Sequence, residues 1–309
     1  NMKAFYCDHF VLPLPDGHRF PMSKYELLRQ RVDEESDIEL LVPDAATDEE
    51  LSLCHTPDYV NRVTSGQMSK DEIRELGFPW SPEMVERSRR SVGATISAAR
   101  VALEEGAAAN LAGGTHHAMS DRAQGFCVFN DCAVAAKLMQ KEDIADQILI
   151  VDADVHQGNG TAEICSNDKS IYTFSIHGGK NFPARKALSD LDIEIEDATE
   201  DEVYLDCFDQ GLATALNESY PDLVFYLAGA DPYENDKLGR LSLSKEGLAK
   251  RDQMGMDYCS RRSLPLVMVM AGGYAAEVND IVDIHFASLE ILADYAHAIQ
   301  VEAEATSLQ

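Results

Sequence analysis

Short apolar segments alternate with longer amphipathic stretches along most of this chain. The apolar segments are rich in branched and aromatic residues and are too short to be typical helices, so they indicate strands buried on both faces of a parallel sheet. These segments occupy residues 147–151, 171–176, 222–227 and 264–270, with a shorter strand-like piece near Asn110. The spacing of apolar positions predicts helices over residues 82–105, 201–220, 244–262 and 279–300.

The alternation of strands and helices predicts one α/β domain over residues 1–309, with Asn1 interpreted as the remnant of an expression tag. Two regions depart from the regular pattern. The acidic stretch 188–202 is predicted to be a solvated loop that leads into a helix. The first eighty residues are rich in turn signals, and we expect them to wrap one edge of the sheet without forming a domain of their own.

Charge narrows the classes of partner. The 309 residues include 54 Asp and Glu against 26 Lys and Arg, which gives a formal net charge of −28. Such an excess of carboxylates opposes direct binding to nucleic acid and to anionic membrane surfaces. It either serves solubility or steers cationic substrates toward the protein, and the sequence leaves both interpretations open.

Cysteine usage and hydropathy bear on the cellular location. Seven Cys are scattered along the chain without a CxxC pair, a pattern that favours reduced thiols and a cytoplasmic protein. No apolar run approaches the ~20 residues that a membrane span requires, and the N-terminus shows no secretory signal pattern. The sequence makes no prediction of the oligomeric state.

Polar residues gather in loops that follow four of the predicted strands. In open α/β sheets such loops lie at the carboxyl ends of the strands and build the functional site. Asp154 and His156 are two residues apart and point the same way in extended backbone, and Asp231 follows the strand 222–227. These side chains form a candidate metal site with an open position for water or substrate, which suits zinc, with iron or another divalent ion as a competitor.

Two further loops carry candidates for proton transfer and oxyanion binding. His116 and His117 follow two glycines after the short strand-like piece, and extended backbone would point their rings in opposite directions. An imidazole oriented by a polar partner is a general acid or base, and the candidate partners are Asp152 and Asn159. Tyr274 follows a glycine pair, where a phenol would donate a hydrogen bond to a developing oxyanion. Together the loops indicate metal-assisted hydrolysis of a carbonyl compound.

These motifs resemble those of the zinc-dependent histone deacetylases and their bacterial relatives, which have the arginase/deacetylase fold. The matching motifs follow the family's order and are GGTHHA at 113–118, GFCVFND at 125–131, DADVHQGNGT at 152–161, FSIH at 174–177, AGADP at 228–232 and GGY at 272–274. The segment GHRFPMSKYELL at 17–28 looks like the bacterial and class IV branch. The resemblance implies a three-layer α/β/α domain around a mostly parallel sheet of about eight strands.

The resemblance also implies a role for each matched residue. The implied ligands of zinc, or of iron in its place, are Asp154, His156 and Asp231. The implied catalytic residues are the proton-handling histidines, their two partners and a carbonyl-polarising tyrosine: His116, His117, Asp152, Asn159 and Tyr274. The implied walls of an acyl-lysine channel are Gly125, Phe126, Phe182, Leu238, Gly272 and Gly273. The implied ligands of a monovalent cation, usually potassium, are Asp152, Asp154, His156, Ser175 and Ile176.

The implied activity is removal of acetyl or other acyl groups from the side-chain amine of lysine in peptides or proteins. A small acylamine such as an acetylpolyamine is the alternative substrate, although Leu238 stands where relatives specialised for polyamines carry an acidic residue. Binuclear manganese hydrolases of the same fold need an Asp where this chain has Gly158. A non-catalytic acyl-lysine binding protein is a third interpretation, but every matched catalytic position holds a competent residue.

Overall fold

The computed structural model describes residues 1–309, and one parallel β-sheet of eight strands lies at its centre. The strands are β1 (Lys3–Phe5), β2 (Glu39–Leu41), β3 (Ala107–Asn110), β4 (Ile148–Asp152), β5 (Ile171–Gly178), β6 (Leu191–Ile195), β7 (Leu223–Leu227) and β8 (Leu266–Val269). Their order across the sheet is β2-β1-β3-β8-β7-β4-β5-β6, and every neighbouring pair is parallel. The prediction of an α/β fold with a parallel sheet is confirmed.

Ten helices connect the strands. They are α1 (Ser23–Glu35), α2 (Asp48–Leu51), α3 (Pro57–Thr64), α4 (Lys70–Leu76), α5 (Pro82–Glu105), α6 (Asp131–Lys141), α7 (Asn159–Ile164), α8 (Asp201–Ser219), α9 (Lys245–Ser260) and α10 (Val278–Ser307). No helix of the chain combines the length and the apolar character needed to cross a membrane.

The sheet separates two hydrophobic cores, which gives the three layers. Successive side chains of a strand point to opposite faces, so Leu149 and Val151 of β4 enter one core while Ile148 and Ile150 enter the other. Helices α1, α8, α9 and α10 close the first core, and helices α2 to α6 close the second. Because both faces are covered, the central strands read as continuous apolar runs in the sequence.

The interpretation of the acidic stretch 188–202 as a loop is wrong. Its residues Leu191–Ile195 form β6, the edge strand that pairs with β5 in the register Phe174↔Leu191. Apolar residues alternate with acidic ones in this segment (LDIEI), so its apolar side chains pack against the first core, while Asp192 accepts a hydrogen bond from Gln157 Nε2 at 2.9 Å and Glu194 is exposed. Charged side chains are usual on an edge strand, because they oppose pairing with another chain.

The first eighty residues extend the sheet at its other edge. β1 pairs with β3 in the register Ala4↔Ala109, and β2 pairs with the outer side of β1. The prediction that this region wraps the sheet edge therefore missed two strands, which are only three residues long and carry no periodic signal. The rest of the region forms α1 to α4 and brings its loops to the carboxyl end of the sheet.

Two helix glycines test the packing of the first core. A Cβ at Gly211 on α8 would lie 2.3 Å from Phe174 Cζ, whereas a Cβ at Gly255 on α9 would meet nothing closer than the Tyr226 ring at 3.7 Å. We expect Gly211→Ala to lower the free energy of unfolding by about 1–3 kcal/mol through overpacking. Gly255→Ala should raise it by about 0.5–1 kcal/mol, because alanine has the higher helix propensity. Urea denaturation measures both, and two changes of the same sign would contradict this packing.

Candidate active site

Three buried side chains meet at the carboxyl edge of the sheet. Asp154 and His156 follow β4, and Asp231 follows β7, the neighbouring strand. One ligand atom from each side chain lies within 4.8 Å of the other two. His156 Nδ1 is 3.0 Å from Asp154 Oδ1 and 3.2 Å from Asp231 Oδ2. The fold therefore brings together the three residues that the sequence nominates as metal ligands.

The donor set of this cluster fits a divalent cation. Asp231 Oδ2 is buried without a well-aligned hydrogen bond, and His156 Nδ1, 3.2 Å away, belongs to the same group of candidate ligands. A Cβ at Gly272 would lie 2.1 Å from Asp231 Oδ2 and 2.6 Å from Asp154 Oδ2, so glycine keeps the space beside both carboxylates open. Two carboxylates and one imidazole suit zinc, and iron accepts the same donors.

Burial and close charges shift the proton affinities in the cluster. Burial, reinforced by the charge of Asp154, raises the pKa of Asp231 to about 7. Burial opposes the charged form of His156, but hydrogen bonds and charges from the two aspartates outweigh it and raise the pKa to about 10. The protein therefore favours positive charge at the centre of the cluster.

The tandem histidines lie beside this cluster with their rings together. The ring centroids of His116 and His117 are 4.2 Å apart. The opposite orientations that extended backbone would give do not occur, because the chain turns here after Gly113 and Gly114, whose φ angles are +80° and +79°. His116 N closes the turn by donating to the main-chain oxygen of Gly114 at 2.9 Å.

Each histidine has its own polar partner. His116 Nδ1 lies 2.5 Å from Asp152 Oδ2, and His117 Nδ1 lies 2.7 Å from Asn159 Oδ1. Asn159 Nδ2 donates to Gln124 Oε1 at 2.6 Å, which fixes the orientation of the amide. The amide oxygen can only accept, so His117 carries its proton on Nδ1 and keeps a free lone pair on Nε2.

The two partners give the histidines opposite proton affinities. Burial opposes protonation of His116, but the charges of Asp152 and Asp154 prevail and raise its pKa to about 9. Burial and the charges of His116 and His156 hold the pKa of His117 well below its usual range, and the amide of Asn159 does not reverse this. In this buried pair the environment therefore favours the protonated form of His116 and the neutral form of His117.

A channel of about 290 Å³ leads from the surface to these side chains. The lining residues are Arg19, Arg74, Glu75, Leu76, Gly77, His117, Gly125, Phe126, His156, Phe182, Leu238 and Tyr274. Phe182 packs edge-on against His117 with ring centroids 4.9 Å apart, and Phe126 faces Tyr274 at 6.1 Å. Four of the residues nominated for the channel line it. Gly272 and Gly273 do not, because they lie behind it against Asp231 and Ile281.

Tyr274 is held from behind and presents a free phenol. Its main-chain N–H donates to Asp236 Oδ2 at 2.8 Å, and the buried Lys24 Nζ lies 5.0 Å from its ring centroid and donates to the oxygen of Gly273 at 3.0 Å. Burial, with the charges of Asp154 and Asp231, holds the pKa of the phenol well above its usual value. Tyr274 therefore keeps its proton and remains a hydrogen-bond donor.

The residues nominated for a monovalent cation also lie together. Asp152 and Ser175 are partners in the register of β4 and β5, and Ile176 is the next residue of β5. Asp154 and His156 continue the chain directly beyond Asp152. Ser175 Oγ lies 2.9 Å from His177 Nδ1 and accepts a bond of 3.4 Å from the Gly158 N–H.

Known proteins resemble this chain over most of its length. The family model described as histone deacetylase domain matches residues 18–289. The chain belongs to the histone deacetylase family. It is 41% identical over 291 residues to an uncharacterized protein of Picosynechococcus sp., covering 92% of this chain and 96% of that protein. It is 30% identical over 245 residues to histone deacetylase 2 of Arabidopsis thaliana and 32% identical over 240 residues to the acetoin utilization protein AcuC of Bacillus subtilis.

Coverage differs between these relatives. The chain spans 63% of the length of the Arabidopsis deacetylase and 62% of AcuC, so both relatives have segments outside the match. Among solved structures, the crystal structure of the HDA15 HD domain matches with a TM-score of 0.80 at 21% identity, covering 98% of this chain and 96% of that one. This last match shows a common fold.

In this histone deacetylase domain, Asp131 stabilises the turn that carries the two histidines through hydrogen bonds to its main chain. The buried carboxylate accepts from the main-chain N–H of Gly114 at 3.0 Å and of Thr115 at 2.9 Å, and from Thr95 Oγ1 at 2.7 Å. Sequence reasoning assigned no role to this residue. The available signal was its place as the last letter of the GFCVFND motif, at the first residue of α6.

Arg251 joins the two loops that carry the metal-ligand candidates, and sequence reasoning missed it. The guanidinium is fully buried on α9, and Nη1 donates to the main-chain oxygens of Ala153 at 3.1 Å and Gly229 at 2.8 Å. Its Nε donates to Asp252 Oδ1 at 3.1 Å. No sequence signal marks it, since an arginine in a predicted amphipathic helix is normally read as exposed.

Removing this buried cation should destabilise the domain. We expect Arg251→Met to lower the free energy of unfolding by about 3–5 kcal/mol, because Asp252 loses its buried partner. Arg261→Met, at the exposed end of the same helix, is the matched control and should change it by less than about 0.5 kcal/mol. Chemical denaturation compares the two, and an Arg251→Met variant as stable as the control would refute the role of the buried guanidinium.

Proposed function

We propose that residues 1–309 form one catalytic domain that hydrolyses acyl groups, acetyl among them, from the side-chain amine of lysine in peptides or proteins. The observation that carries this proposal is the meeting of three kinds of group at the base of one channel. They are the Asp154–His156–Asp231 cluster, two imidazoles with fixed partners, and a free phenol. The aromatic walls suit the unbranched alkyl chain of lysine.

The cofactor we propose is zinc, with iron as the competitor, held by Asp154, His156 and Asp231. When bound, the metal would act as a Lewis acid toward the amide carbonyl and would make water a better nucleophile. The buried Asp231 oxygen without a well-aligned hydrogen bond and the space beside Gly272 support this assignment.

His117 is placed to move the protons of the reaction. It lines the channel, and its Nδ1 is committed to Asn159, so Nε2 is the atom that accepts a proton from the attacking water. His116 does not line the channel and is held by Asp152. It therefore acts on the reaction through the electrostatic effect of its charge on the neighbouring His117. The proton on Nε2 is then returned to the nitrogen of the leaving lysine amine.

Tyr274 supplies the hydrogen bond to the acyl oxygen. Its phenol donates to the carbonyl oxygen as negative charge develops there, and preorganised donors of this kind contribute strongly to catalysis. Phe126 and Phe182 cover the alkyl chain on both sides and exclude water from it.

We also propose that potassium binds beside Asp152 and Ser175, with the main-chain oxygens of Asp154, His156 and Ile176 as further ligands. The register of β4 and β5 supports this set, and a bound cation would stiffen the loop that carries Asp154 and His156. Replacing potassium by the larger tetramethylammonium ion should lower the melting temperature of the protein. An unchanged melting temperature would contradict the proposal.

The thiols support our proposal of a cytoplasmic location. All seven Cys are free, as expected in a reducing compartment. Cell fractionation of the protein tests this location.

The test of the activity is a panel of acylamines. Acetyl-lysine peptides, longer acyl-lysine peptides and acetylpolyamines should be offered to the zinc-loaded protein, with release of free amine as the measurement. We expect the acyl-lysine peptides to be the best substrates, because the rim position of Leu238 holds no carboxylate for a polyamine and the one lining carboxylate, Glu75, stands beside Arg74. Hydrolysis of the acetylpolyamines alone would favour the small acylamine alternative.

Loss of the phenol should impair turnover. We expect Tyr274→Phe to lower kcat on an acetyl-lysine peptide about 10²–10³-fold, because one oxyanion donor is lost. KM and the zinc content should stay close to those of the unmodified protein. A variant that turns over as fast as the unmodified protein would remove Tyr274 from the mechanism.

Removal of the metal should be reversible and stoichiometric. Dialysis against a chelator should abolish deacylation, and about one equivalent of zinc per chain should restore it, because the cluster offers a single three-ligand site. Asp231→Asn should bind zinc more weakly in a competition titration. Restoration only by two equivalents of manganese would instead indicate a binuclear site.

A further inference from the structure

The mouth of the channel carries basic residues on a chain whose net charge is −28. Arg19 and Arg74 line the channel, and Glu75 is the one carboxylate among its lining residues. Lys237, next to the rim residue Leu238, is exposed. Arg19 forms no ion pair, and its guanidinium lies over the ring of Phe126, 5.5 Å from the centroid. Two of the three charged side chains from the surface that line the channel, Arg19 and Arg74, are thus basic, opposite in sign to the net charge of the whole molecule.

The side chains of His18 and Phe20 anchor the segment on both sides of Arg19. The ring of His18 lies with Nε2 2.9 Å from the main-chain oxygen of Gly77. Phe20 packs edge-on against Phe126 and Phe78, with ring centroids 5.2 Å and 5.0 Å apart. The GHRF part of the N-terminal motif therefore builds a wall of the channel, and its exposed charge, Arg19, lies at the entrance.

Local charges outweigh the distant ones for a bound substrate. At physiological ionic strength the screening length is about 8 Å, so most of the surface carboxylates contribute little at the mouth. Arg74 is paired with Asp71 at 3.2 Å, but the two side chains are 79% and 85% exposed. Such an exposed pair is weak, and a substrate carboxylate can replace Asp71 in it.

We propose that this mouth selects acyl-lysine residues flanked by Asp or Glu, with Arg19 as the residue that contacts the flanking carboxylate. The proposal rests on the deacylase function above and names its substrate class. Because the acyl group enters the base of the channel, the carboxylate that reaches Arg19 belongs to a neighbouring residue of the peptide. Steering of cationic substrates by the acidic surface is the opposing hypothesis, and it predicts a preference for basic peptides.

Three acetyl-lysine peptides of equal length test this selection, with two Asp, two Ser or two Lys flanking the modified residue. We expect kcat/KM to be about fivefold higher for the Asp peptide than for the Ser peptide, mainly through KM, and lowest for the Lys peptide. Arg19→Gln should bring the ratio of kcat/KM for the Asp and Ser peptides close to one.

The control variant is Arg261→Gln. Arg261 also stacks on an aromatic ring, 4.4 Å from the centroid of Tyr258, but it precedes β8 and so lies at the opposite end of the sheet from the channel. It removes the same charge from the molecule and should leave all three rates unchanged. An equal loss of the Asp preference in this variant would show that net charge, and not Arg19, sets it, which would overturn the proposal.

Two results separate failure of this inference from failure of the proposed function. Equal rates on the three peptides, or a preference for the Lys peptide, overturn the inference and leave the deacylase function standing. If the zinc-loaded protein hydrolyses none of them, the proposed function fails, and anisotropy of the labelled peptides still decides the inference. If the Asp peptide then binds no more tightly than the Ser peptide, the inference is overturned.

Discussion

The burial of two neighbouring carboxylates, Asp154 and Asp231, is the constraint around which the site is built. Like charges in a dry interior are costly unless other groups compensate them. The Val155 N–H donates to Asp231 at 2.8 Å, and the Gly272 N–H donates to Asp154 at 2.7 Å. Arg251 adds a buried positive charge against the backbone of both loops. One oxygen of Asp231 has no well-aligned hydrogen bond and lies 3.2 Å from His156 Nδ1, and this buried group of three ligand atoms is the reason to expect a cation there.

The chemistry depends on segments far apart in the chain. The histidine turn is fixed by Asp131, and the tyrosine loop is fixed by Asp236 and by Lys24 of the N-terminal motif. The same motif adds Phe20 to the aromatic group around the channel. The N-terminal region thus contributes to both the support and the entrance of the site, although the metal-ligand candidates all lie beyond residue 150.

The net charge of this protein and the charge at the mouth of its channel differ in sign and in the range over which they act. The excess of acidic residues bears on solubility and on behaviour at long range, where salt screens it. The few charges that a bound molecule can touch lie at the channel mouth, and most of those are basic. An overall charge taken from composition therefore says little about which substrate enters.

The sequence by itself determined the α/β alternation and the metal-ligand candidates. Both follow from local rules: a two-residue spacing puts Asp154 and His156 on one side of the backbone, and parallel strands end at one edge of the sheet. Tertiary structure alone decided that the His116 and His117 rings lie together, that 191–195 is an edge strand, and that Gly272 and Gly273 back the site without lining the channel. It also decided the roles of Gln124 and Arg251. Arg251 contacts Ala153 across 98 residues of sequence, and such a contact leaves no periodic or motif signal, because only packing in three dimensions creates it.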